Sequence, residues 1–163
     1  MDFFLILIII HIGLGEFAGL CFLWVSVETF NRKDAGLRRA KIFSALGAIS
    51  AVCAWFAGGY YYVKHYGSMV KPVLIAETSN LKWAHKVIIE AKEHIFLFIP
   101  VLAVAAFLLF LKLESWNDLD EATSKKVAYL TLTIFLMVFL MAAMGSLVSG
   151  AVRAILGAPG GGI

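Results

Sequence analysis

Residues 93–113 read EHIFLFIPVLAVAAFLLFLKL, and this run decides the class of the fold. From Ile95 to Leu111 it carries no charge and shows none of the two-residue alternation of a half-buried strand. At about 1.5 Å of rise per residue, a helix of this length covers roughly the 30 Å of a bilayer's hydrocarbon core. Three other stretches meet the same requirement, at about 3–27, 42–63 and 127–150. Backbone groups in lipid must be paired internally, so four such runs predict an all-α integral membrane protein. The chain-wide figures agree: 61% of the 163 residues are hydrophobic and the mean hydropathy is +0.89, far above a soluble domain of this size.

The connections set the expected topology. Residues 28–41, containing NRKDAG, and 114–126, reading ESWNDLDEATSKK, are short, which makes neighbouring helices antiparallel and predicts an up-down-up-down four-helix bundle over residues 1–152. The middle connection, about 63–82, is long enough to fold over the bundle mouth as an extracytoplasmic cap. Thr78, Ser79 and Asn80 offer N-caps for a third helix that starts outside the membrane. Residues 153–163, ending GAPGGGI, read as a flexible tail.

Charge gives the orientation. Arg32, Lys33, Arg38, Arg39 and Lys41 in the first connection join Lys112, Lys125 and Lys126 at the third. Lys64, Lys71, Lys82, Lys86, Lys92 and Arg153 are spread along the other side. The positive-inside rule then puts both termini outside, in what we read as a prokaryotic cytoplasmic membrane. MDFFLILIII lacks a basic n-region and reads as the first helix, not a signal peptide. The net charge of +3 is dispersed at membrane boundaries and implies no nucleic-acid partner. Cys21 and Cys53 fall at different depths within apolar spans, so a structural disulfide is not expected, and no CxxCH motif offers covalent haem attachment.

Imidazoles are costly in hydrocarbon and mark function there. Counted from the charged side, His11 lies roughly 24 Å deep and His94 roughly 28 Å deep, at nearly one level on two spans. Two neutral imidazoles at one level suit a six-coordinate haem iron. His11, Gly15 and Gly19 are spaced i, i+4, i+8, a stripe that leaves space for a flat macrocycle or for close helix packing. Lys86, Glu90 and His94 share one face of the third span, and His85, Ile89 and Glu93 share the next. Glu90 and Glu93 are therefore second-shell candidates that would fix a histidine tautomer. His65 and His85, about 37 and 42 Å from the charged side, form a possible second pair. Arg153 stands where haem propionates would need cations. Tyr60, Tyr61, Tyr62, Tyr66 and Trp83 read as an aromatic belt at the headgroups. Glu16, near the middle of the first span, is a proton-relay candidate, or a neutral acid bonded to Ser44, Ser50, Thr131 or Thr133.

This arrangement of His11, Gly15 and His94 in a small apolar bundle resembles the four-helix membrane b-type cytochromes. The resemblance implies one haem b, or two, and electron transfer near the extracytoplasmic side with a quinone or quinol, a redox protein or a neighbouring subunit as partner. Familiar diheme members carry two histidines on one helix, spaced by the membrane thickness, which this chain lacks. Two other classes fit the same residues. One is a non-haem metal enzyme or transporter using His11, Glu16, Glu90, Glu93 and His94. The other is a structural or assembly subunit, homo- or hetero-oligomeric, whose polar residues mediate helix contacts.

Overall fold

A computed structural model of the chain describes residues 3–76 and 79–157, and all regular structure among them is helical. Four helices are long and apolar enough to cross a membrane: α1 (Phe3–Asn31), α2 (Asp34–Ile75), α3 (Ala84–Lys112) and α4 (Glu121–Leu156). They are longer than hydropathy alone delimits, because their polar ends continue the helix beyond the apolar run. The connection expected over 28–41 shrinks to Arg32 and Lys33. Arg32 takes φ 50°, a left-handed conformation that lets the chain reverse in two residues.

The expected cap over 63–82 is also mostly helical. α2 continues as a π-helical stretch, Tyr62–Val70, and a last α turn, Lys71–Ile75. α3 begins with a second π-helical stretch, Ala84–Ile89. Ser79 Oγ accepts from the Leu81 backbone N–H ahead of it; Thr78 lies outside the described residues. α3 is interrupted at Phe96–Leu97. Pro100 explains the break, since it has no N–H to donate and its ring crowds the carbonyl four residues earlier, that of Phe96. α4 runs past Arg153, so the expected tail starts later, and residues 158–163 lie outside the described residues.

Contacts between neighbouring helices run in opposite chain directions. Along α1 and α2, Gly36 meets Glu28, Gly47 meets Cys21 and Phe22, and Gly58 meets His11. Along α1 and α4, Ser26 Oγ donates to the Ala128 carbonyl, and Gly19 packs on Val138. Ala18, Phe22, Ala48, Ala51, Ile99, Ala103, Ile134 and Val138 form the central core, drawn from all four helices. Small residues dominate its α2 and α3 faces, which brings the backbones close.

The two ends of the bundle differ. At the charged end the turns are locked together. The Arg32 guanidinium donates to the carbonyls of Trp116 (2.7 Å) and Leu119 (2.8 Å), and Trp116 Nε1 returns a bond to the Lys33 carbonyl (2.9 Å). Glu28, 5% exposed, accepts from Arg39 Nε at 2.5 Å and from Trp24 Nε1 at 3.1 Å. At the other end the core consists of Tyr66, Leu74, Ala84, Ile89, Val148 and Ala151, from α2, α3 and α4 alone. Every buried residue of α1 lies between Ala18 and Thr29, and none between Phe3 and Phe17. The first half of α1 is held mainly to α2, where Phe4 stacks on His65 and Phe3 meets Tyr60 edge-on. The first half of α1 is therefore the least buried part of the bundle.

Candidate functional site

The polar residues of the interior gather beside this half of α1. His11 projects from α1 against α2, its ring lying on Gly58 and its Nδ1 2.8 Å from the Ala54 carbonyl. A carbonyl only accepts, so Nδ1 carries the proton and Nε2 keeps its lone pair. That is the tautomer a metal-ligating imidazole needs, oriented by a backbone acceptor. A Cβ added to half-buried Gly15, one turn along, would meet nothing within 4 Å.

Lys92 enters the same region from α3. Its side chain lies on the inner stripe Ile88, Lys92, Ile95, Phe96 and Ile99, within electrostatic reach of His11, and its Nζ rests against Gly145 of α4, 3.2 Å from where a Cβ would stand. Among the described residues Lys92 has neither an ion-pair nor a hydrogen-bond partner. One turn on, Phe96 stacks on Trp55 of α2 at 6.3 Å between centroids. Trp55 Nε1 is the one described side-chain polar atom fully covered without a partner. Lys92 Nζ and His11 Nε2 make no hydrogen bond among the described residues either.

The paired groups lie between α2 and α3, where the two π-helical stretches face one another. Tyr62 donates to Glu93, Tyr66 and His85 Nδ1 share a 3.0 Å hydrogen bond, and the Tyr62 and Tyr66 rings stack at 5.1 Å. π-Helical turns widen a helix and recur at functional sites. Here they turn both phenols inward, whereas Tyr60 and Trp83, also expected in the aromatic belt, are exposed.

The structure does not bring all the expected ligands together. His94 is exposed on the outward face of α3 with Val87, Glu90, Leu97 and Val101, and its Nδ1 donates to the Glu90 carbonyl at 2.6 Å, not to the carboxylate. It turns away from the interior that holds His11, because Lys92 and not His94 falls on the inner stripe. His65 stacks between Phe4 and Tyr61, and His85 is committed to Tyr66, so these two face different neighbours. Glu93 is taken up by Tyr62, Glu90 is exposed, and Arg153 is exposed in the last turn of α4. Of the glycine stripe, Gly19 is filled by Val138 of α4 and only Gly15 borders open space.

Glu16 points outward from the bundle rather than to the serines and threonines expected to neutralise it. Ser44 and Thr131 bond to backbone carbonyls of their own helices instead. No three histidine, cysteine or carboxylate side chains converge among the described residues.

Sequence places Lys92 near the level of Arg153 and Lys64, among the outer-end cations suited to haem propionates, and its inward position is signalled by the apolar i, i+4 stripe that it interrupts. Trp55 and Glu28 are not singled out by sequence, although Glu28 continues the inward face of Cys21 and Val25.

Compared with known protein families, with curated proteins and with solved structures, the chain finds no match.

Proposed function

We propose that the chain is an up-down-up-down integral membrane protein, charged turns on the cytoplasmic side, that takes part in electron transfer with a haem b held beside His11. The observation that carries this reading is the His11 tautomer, with Nδ1–H fixed on the Ala54 carbonyl and Nε2 left without a partner among the described residues. The residues present fit one histidine ligand, not the His11–His94 pair within a single bundle. Haem iron would supply the one-electron couple. The chain's own groups have separable tasks. His11 Nε2 would ligate, the Ala54 carbonyl and Gly58 hold the ring in place, and the neighbouring apolar cluster with Ile95, Phe96 and Met141 would keep water out. Tyr62–Glu93 and Tyr66–His85 lie behind these as hydrogen-bonded pairs able to hold a proton.

The test is an optical spectrum of the detergent-purified protein, oxidised and dithionite-reduced, with a pyridine haemochrome assay. One haem per chain with sharp reduced α and β bands is expected. His11→Ala should abolish it and His94→Ala should leave it. A protein that takes up no haem, or one whose haem survives His11→Ala, overturns the reading.

A further inference from the structure

We infer that Lys92 is the anchor of a carboxylate belonging to a membrane-soluble ligand that binds beside His11 and Gly145. On the haem reading, on which this assignment rests, the carboxylate is a propionate.

A lysine ammonium in an apolar interior is costly without an acceptor; Arg39 and Lys125, at the charged end, each have a carboxylate beside them. Lys92 has none, although Glu93 is the next residue, because Glu93 turns to Tyr62. Gly145 gives Nζ its place, since a larger residue there would push it aside. The same level of the bundle holds a second unmatched donor, Trp55 Nε1, one helical turn from Lys92 by way of Phe96. Two donors without acceptors in an apolar surround describe a site completed by an amphiphile with an oxygen-bearing head. A carboxylate is the head that a cation binds most strongly. The free edge of the site is α1, whose first half contributes nothing to the core at this end, so the ligand can enter sideways from the bilayer.

A propionate and a fatty acid share this chemistry, and ligand-side changes separate them without altering the protein. The full chain in detergent is titrated with haemin, with haemin dimethyl ester and with oleate. Binding is followed by the Soret band and by tryptophan emission, with Trp55→Phe identifying the reporter. Expected is an ester affinity roughly tenfold below that of haemin, and a matching tenfold loss for haemin in Lys92→Met with no further loss for the ester. If haemin and ester bind alike, or Lys92→Met weakens both equally, the anchor is refuted while haem at His11 stands. If haemin does not bind but oleate does, and Lys92→Met abolishes it, the anchor stands and the haem reading falls. If no probe depends on Lys92, both fall.

Discussion

Two adjacent glycines of α2 should respond to the same substitution with opposite signs. A Cβ on Gly58 would stand 2.5 Å from Cε1 and 3.1 Å from Cγ of the His11 ring, with Nδ1 closer still. A Cβ on Gly59 would meet nothing within 4 Å. Both alanines gain about 0.5–1 kcal/mol from reduced backbone freedom. At Gly58 the rigid imidazole must also swing away. That adds overpacking strain of about 1–3 kcal/mol and removes the Nδ1–H bond to Ala54, about 1 kcal/mol. The net expectation is a destabilisation of about 1–3.5 kcal/mol for Gly58→Ala and a stabilisation below about 1 kcal/mol for Gly59→Ala.

The assay is unfolding in dodecyl maltoside micelles with rising dodecyl sulfate, followed by far-ultraviolet circular dichroism. The His11→Ala background supplies the control. With the ring gone, Gly58→Ala should behave like Gly59→Ala, a coupling of about 2–3 kcal/mol between positions 11 and 58. Equal effects at the two glycines, or a Gly58 penalty that persists without His11, would refute the packing from which the ligand role of His11 is argued.

Three further outcomes follow from the charged end and from α1. Arg39→Ala leaves the Glu28 carboxylate, 5% exposed, with only Trp24 as donor. It should destabilise by about 1–3 kcal/mol, discounted because Arg39 itself is 44% exposed. Lys125→Ala, whose pair with Glu121 is exposed on both sides, should change stability by less than about 0.5 kcal/mol; equal effects in chemical denaturation would sink the distinction. The backbone N–H groups of Ser115 and Glu114 hold the Asp118 carboxyl below the usual carboxylate range. Because its folded value is depressed, its contribution to loop order is complete above about pH 4 and lost as the pH falls through the depressed value. The Ser115 amide resonance should titrate there and cease to do so in Asp118→Asn; titration at the ordinary carboxylate pH would contradict the bonds. Glu16 faces outward in mid-span, so Glu16→Leu should raise resistance to dodecyl sulfate by about 2 kcal/mol in lipid nanodiscs, whereas a loss would place its carboxyl in a contact with another chain.

The four spans were legible in the sequence because a bilayer imposes length and apolarity directly, and residues 93–113 could be little else. The helix ends were less so. Hydropathy stops at the first charges, whereas the helices run on through Glu28, Asp34 and Lys71, whose polar groups are met by partner side chains or water. His11 was legible for the same reason as the spans: an imidazole in hydrocarbon stands out. Its supposed partner was not. Depth along an axis, which sequence supplies, put His94 at the right level; rotation about the axis decides which side chain faces inward, and there Lys92 takes the place. The inward turn of Tyr62 and Tyr66 depends on π-helical turns that no periodicity of 3.6 anticipates.

The asymmetry of the bundle links the fold to the proposed chemistry. A site that admits a ligand from the bilayer needs helices that can part, and parting is tolerable only if the bundle is secured elsewhere. Here the securing contacts cluster at one end. Glu28–Arg39, the reciprocal bonds between residues 32–33 and 116–119, and Ser26 and Ser124 on the facing carbonyls of Ala128 and Thr29 tie α1 to α2 and α4. N-terminal to Ala18, α1 contributes no buried residue among the described residues. Aromatic contacts with α2 and the hydrogen bond from His11 to Ala54 restrain it there. That bond serves two purposes. It fixes the imidazole tautomer, and it holds the less buried half of α1 at a set distance from α2, with Lys92 and Gly145 placed to meet the proposed ligand.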